Sequence, residues 1–184
     1  MSVINRDIDN VILTALATTT LDTGGAATAS LTLVFKALVQ LQNNGVAMDG
    51  NIFAVVSPAF IAYLMALPSF ASADYVNVKP FTNYPGWNAA DNKKAGHGWY
   101  DWMGIKWIVS NQVAGVGTSS ETCLLFHRSA IGHAINSAGV DSAIGYDDKQ
   151  QLSWARCSLF HGAVLLQNAG AVRMIHDGSA YVAT

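Results

Sequence analysis

Cys123 and His127 stand four residues apart, and a thiol beside an imidazole can act as a nucleophile with its base. Both fall in an apolar stretch of strand length. Four strand residues extend about 13 Å, too far for one group to take the other's proton. No acid stands at a spacing that would orient the ring. A hydrolase or small-molecule-binding domain would have to use Cys123 and His127, and the sequence gives them no supporting groups. His127 and His133 bracket what reads as a short helix, but zinc needs three or four ligands with supporting hydrogen bonds, which no spacing here supplies. Asp147 and Asp148 are adjacent, so on a strand they would point to opposite faces, and they read as a turn instead of an acid and base pair. Gly115-Val116-Gly117-Thr118 has no downstream lysine and leads into a strand, which is a loop and not a phosphate cradle. Trp99, Tyr100, Trp102 and Trp107 could stack on a base or sugar, but aromatics so spaced fill a core or a subunit contact. No catalytic, cofactor-binding or metal-ligating set is assigned, and no cofactor or small-molecule substrate is expected.

The elements that would position these residues are more legible than any chemistry. Between Asn51 and Val76 no charged residue occurs before Asp74. Ile52 to Val56 is a short apolar run of strand length, Ser57 can cap a helix, and Pro58 fits the first helical position. Phe60, Ile61, Leu64 and Leu67 then form one apolar stripe, and Pro68 stops the helix. Upstream, Asp7 to Leu16 has helical spacing and Thr18 to Thr28 is a Thr, Gly and Ala loop. Ser30, or Thr28, caps a helix running to Asn44 with Leu31, Val34, Phe35, Leu38 and Leu41 on its apolar stripe and Gly45 as its terminating turn. At roughly 15 residues, about 22 Å, it is expected to be the longest helix. Pro80 to Asp101 is a long excursion suited to function or partner contact, and a ligand pocket, if present, would lie beneath it. Ile105 to Ser110 and Thr122 to Phe126 read as strands, Val113 to Ser120 as a Gly-rich turn, and Arg128 to Asn136 as a short helix. From Leu152 to Leu166 apolar and polar residues alternate, and a turn at Asn168 to Gly170 leads into Ala171 to His176, which reads as an antiparallel pair. The sum is an α+β protein without internal repeats.

Of 184 residues only 12% are charged while 51% are hydrophobic, against about 25% charged in ordinary soluble domains. Much of the surface is therefore expected to be covered. No uncharged apolar run reaches the roughly 20 residues that cross a bilayer, and no basic segment followed by an apolar core opens the chain, so no membrane partner is expected. Subunit interfaces are the better explanation. Net charge is −2 and the ten basic residues are scattered, which leaves weak or no direct nucleic-acid contact. Cys123 and Cys157 sit in apolar surroundings and read as small buried thiols, with a disulfide between them left open.

Several segments together resemble the major capsid (coat) proteins of tailed bacteriophages: the helix in TASLTLVFKALVQLQNNGV, the strand and helix in FAVVSPAFIAYLMAL, the FASADYV that follows, the MGIKWIVSNQV strand, LLFHRSAIGHAIN, and the closing hairpin around GAVLLQNAGAVRMIH. The resemblance spans nearly the whole chain and rests on hydrophobic pattern and turn residues. It implies a peripheral domain, residues 1–47 and 151–184, with a long spine helix at about 29–44 and an antiparallel sheet, and an inserted axial domain, residues 48–150. It implies a subunit of an icosahedral capsid shell enclosing the genome, acting without catalysis, self-associating with other capsid subunits, found in the virion capsid and assembled in the host cytoplasm. Family members usually carry an extended arm and a long hairpin loop ahead of the spine helix. Only about 27 residues precede it here, so a truncated or short form is expected. A microbial nanocompartment shell, which uses the same fold, is a further reading.

Overall fold

A computed structural model describes residues 2–68, 100–136 and 139–181. The Asp74 to Lys79 segment, and the Pro80 to Asp101 excursion with Trp87, Trp99 and the pocket proposed beneath it, lie outside the described residues except for Tyr100 and Asp101 at its end. The chain opens with helix α1 (Ser2–Leu16) and helix α2 (Leu31–Asn43), then passes through strand β1 (Ile52–Val56) into helix α3 (Pro58–Met65). Strands β2 (Tyr100–Trp102), β3 (Ile105–Val109) and β4 (Glu121–His127) follow, then β5 (Ile131–Ile135), β6 (Asp141–Asp147), β7 (Leu152–Ser158), β8 (His161–Leu165) and β9 (Ala171–His176).

Local chemistry explains most of these boundaries. Ser30 caps α2 by accepting from the Leu33 amide. At the other end Gly45 takes φ +78° while its amide bonds Gln42 O and the Val46 amide bonds Leu41 O. That is the paired 5→2 and 6→1 closure that a left-handed residue permits. Ser57 accepts from the Phe60 amide and Pro58 opens α3, as the sequence implies. Between β2 and β3 the two-residue turn Met103-Gly104 has both φ values positive, 57° and 71°, the primed geometry that matches strand twist.

A five-stranded sheet in the order β2-β3-β1-β4-β9 forms the centre. Every pair is antiparallel except β1 with β3, whose parallel register requires the crossover that includes α3. The paired row Trp107, Ala54, Leu125 and Val172 runs across four strands on one face. All four side chains are fully buried, as are Ile52, Val56, Ile105, Cys123 and Met174 of the same parity. Phe60 of α3 stacks on Trp107 from that side, at 6.3 Å between centroids. Val55, Ile108 and Phe126, of opposite parity, share a cleft with Asp9, Ile12 and Leu13, so α1 lies over the other face. Covered on both faces, β1 can be apolar throughout. The loop that joins α1 to α2 runs along the outer edge of β9, with Thr23 N on Arg173 O at 3.0 Å and Arg173 N on Leu21 O at 2.9 Å. Backbone groups that would template aggregation are thereby occupied.

The structure corrects several expectations. Arg128 to Asn136 is not a helix: Arg128–Ala130 is one 3-10 turn and Ile131–Ile135 is a strand. His127 and His133 therefore do not bracket a helix. The Leu152–Leu166 alternation is two strands, and the expected closing hairpin does not form, because β8 pairs with β5 while β9 pairs with β4. Residues 131–165 instead fold back on themselves as one long hairpin, β5 with β8 at its base and β6 with β7 at its tip. Helix α2 has 13 residues and α1 has 15, so the spine helix is not the longest. Phe35 is 44% exposed, and Leu33 and Ala37 take its place in the buried stripe.

Candidate assembly surface and the buried polar network

The hairpin of residues 131–165 follows directly from its alternating sequence. Seven-residue strands β6 and β7 pair from Asp141 with Ser158 to Asp147 with Leu152. The turn at 148–151 is fixed by Asp147 Oδ1, which accepts from the Lys149 amide at 2.9 Å, so Asp147 and Asp148 do form a turn. Because side chains alternate across a strand, Ile144 and Tyr146 occupy one face of the ribbon and Leu152 and Trp154 the other. All four are exposed, Ile144 at 85%. The Trp154 ring lies across Gly145, where an added Cβ would come within 2.4 Å of Cζ2. Of the sixteen exposed large apolar side chains among the described residues, nine fall between Ile135 and Leu166, including Phe160, Val164 and Leu166 near the base. A two-stranded ribbon that is apolar on both faces has no core of its own.

A second feature lies inside the molecule. Glu121, the chain's sole glutamate, is fully buried at the start of β4, with Ser57 and His176. Its Oε1 accepts from the Gly117 amide at 2.7 Å, and Ser57 Oγ donates to Oε2. His176 Nδ1 donates to Ala27 O at 3.2 Å, and its Nε2 lies 3.9 Å from Glu121 Oε2 without a hydrogen-bond partner. Burial, the largest influence, lowers the affinity of His176 for a proton below the ordinary value of 6.5, against the opposing pull of Ala27 O and Glu121. Phe60 and Tyr63 meet the imidazole edge-on at 5.1 and 5.3 Å. Gly178 covers the carboxyl group so closely that a Cβ there would come within 2.2 Å of Oε1. The network ties α3, the 113–120 loop, β4 and β9 together. Sequence reasoning missed it, although Glu121 shares parity with the buried Cys123 and Leu125 and so had to face inward.

The residues singled out for chemistry are placed apart. Cys123 is buried and its thiol is pushed up to about 12, by desolvation first. His127, at the far end of β4, accepts from the Ser129 amide on Nδ1 at 3.2 Å and donates from Nε2 to Asp49 Oδ1 at 3.2 Å. An acid therefore does orient that ring, contrary to expectation, but it holds His127 at the β1 entrance and away from the thiol. Asp49 is itself held down at about 2, chiefly by hydrogen bonds from the Asn51 side chain and amide. The structure thus gives no support to a hydrolase built on Cys123 and His127. Cys157 is exposed, not buried, and both thiols are free. Trp102 and Trp107 are buried, the Trp107 indole donating to Trp102 O at 3.2 Å, so this pair is core.

Solved structures with the same architecture define the class. A chain from Mycobacterium phage Che8 superposes with a TM-score of 0.69 at 19% identity, over 97% of this chain and 60% of that one. The capsid of the cyanophage P-SCSP1u gives 0.60 at 15% identity, over 92% and 60%. A virus-like particle from Pyrococcus furiosus gives 0.56 at 10% identity, over 91% and 60%. The fold is that of phage capsid proteins, α+β with a spine helix against a largely antiparallel sheet. A family model described as phage capsid protein matches residues 2–177, and the chain belongs to that family. It spans about 60% of the length of these solved relatives. No curated protein matches it in sequence.

Proposed function

We propose that this chain is a structural subunit of a bacteriophage icosahedral shell enclosing the genome, which works through contact between copies and without catalysis. The observation that carries the proposal is the β6–β7 tip of the 131–165 hairpin, whose apolar side chains Ile144, Tyr146, Leu152 and Trp154 are exposed on both faces, with no helix of the described residues laid over them as α1 lies over the base. A neighbouring subunit supplies the covering layer, and the charge-poor composition is its counterpart in sequence. On this reading residues 1–47 with 151–184 belong to the peripheral unit and residues 48–150 to the axial one, with the five-stranded sheet and the 131–165 hairpin shared between them. The subunits assemble in the host cytoplasm and reside in the virion capsid. Contact with the packaged genome is weak, in keeping with a net charge of −2.

Light scattering and electron microscopy across a concentration series test this reading. The expected result is a mass above the 19.5 kDa of one chain that rises with concentration, with curved or closed assemblies on the grid. A chain that remains at 19.5 kDa at every concentration would remove the support for contact through the hairpin.

A further inference from the structure

We propose that His133 and His161 form a site for one divalent transition cation, Zn2+ or Ni2+, that ties helix α1 to the base of the long hairpin. The two histidines lie on paired strands: His133 is opposite Ala163 and His161 opposite Ile135. They are diagonal neighbours, and an even offset along each strand places both on one face. His133 Nε2 stands 3.5 Å from His161 Nδ1, with the rings inclined at 62°. Two imidazole nitrogens bound to one tetrahedral zinc at about 2.0–2.1 Å each lie roughly 3.4 Å apart, so the pair is already at ligand spacing.

Asp7 of α1 completes the argument. Its Oδ2 accepts from His161 Nε2 at 3.0 Å, which fixes the tautomer that leaves the Nδ1 lone pair aimed at His133. A carboxylate behind a histidine is the usual device for orienting a metal ligand and raising its basicity. The His161 side chain is only 5% exposed, so its direction is set by packing. His133 is exposed and gives the cation access to solvent. In the bound form His133 carries its proton on Nδ1 and offers Nε2. Among the described residues no third His, Cys, Asp or Glu joins the pair as a ligand. Two protein ligands fall short of the three or four that hold a resident zinc, so the cation bound here is exchangeable, with water in the remaining positions, and imidazole ligation selects Zn2+ or Ni2+ over Mg2+. The sequence assigns no metal site to His127 and His133 taken together; in the fold His127 is engaged by Asp49, whereas β5 brings His133 to His161.

The test is calorimetric titration of Zn2+, and separately Ni2+, into the chain carrying Cys157→Ser, which removes the exposed thiol. Saturable binding of one ion per chain and a melting temperature that rises with Zn2+ are expected. His133→Ala, at an exposed position, should keep the metal-free melting temperature and lose the saturable phase. Asp7→Asn should keep binding but weaken it about 10- to 100-fold. Mg2+ should give no response. Equal Zn2+ binding by the parent and His133→Ala, or no saturable binding at all, would overturn the proposal.

Discussion

At Ser57 one hydroxyl accepts from the first turn of α3 and donates to the buried carboxyl group of Glu121, so a single atom joins a helix cap to the core network. Ser57→Ala removes both bonds and leaves Glu121 Oε2 without its donor. The expected loss is about 2–4 kcal/mol, combining a cap with an unsatisfied buried acceptor, and chemical denaturation will read it. His176 adds a pH dependence whose sign follows from burial. Its folded-state proton affinity is lowered from 6.5, so the unfolded chain takes up the proton first as the pH falls. This contribution to stability is complete above 6.5 and declines as the pH drops below it, by at most about 1.4 kcal/mol per pH unit. Asp49 acts in a separate window, its contribution being lost only between 3.8 and about 2. Melts between pH 7.5 and 5 should therefore show a steeper loss in the parent than in His176→Phe, and equal slopes would contradict it. Little of this was legible in sequence. Ser57 was, because capping is a local property of the residues that follow it. The carboxyl and imidazole groups that complete the network come from 64 positions along the chain and beyond, and no local pattern announces such a meeting.

The same division between local and distant causes holds for whole elements. Helices α1, α2 and α3 and strands β1, β3 and β4 could be read from period, caps and turns, since each signal lies within the element. The segment 128–136 was misread because His127, Ser129 and the alternating small residues Gly132 and Ala134 fit a helix as well as a strand. Its strand state is fixed by pairing with β8, some thirty residues away. The closing hairpin failed for a related reason: short separation suggested that β8 and β9 pair, but the buried row on β4 recruited β9 instead. On α2, Leu38 is 7% exposed and Phe35 is 44% exposed, although both fit the apolar stripe in sequence. Leu38→Asp must desolvate a charge with no partner and should cost several kcal/mol, about 3 or more, whereas Phe35→Asp should cost about 1 or less. Thermal melts of the two variants side by side check the helix orientation, and comparable losses would mean that the stripe is turned from the position described.

For the molecule as a whole, the low charge and the apolar hairpin have one physical account. Burial of apolar area stabilises by about 25 cal/mol per Å2, and a ribbon that leaves such area exposed on both sides gains nothing from it until another surface arrives. Single exposed apolar residues are ordinary, but a ribbon carrying Ile144 and Tyr146 on one face and Leu152 and Trp154 on the other is a contiguous double-sided patch. If a second copy covers it, replacing Ile144 and Trp154 by Lys places two charges where a dry contact would form. Folding of the isolated subunit should change little, by about 1 kcal/mol or less, because Ile144 is 85% exposed and Trp154 loses only its packing across Gly145 of the same ribbon. Association should fall steeply, since a charge left unpaired in an interface is costly to desolvate. The paired measurement is a melting curve with light scattering on the double variant. A melt close to the parent's with a mass reduced to one chain identifies the hairpin as an assembly surface. A melt close to the parent's with unchanged mass shows that contact lies elsewhere, and the exposed face of α2 around Phe35 and Val39 is then the next surface to alter.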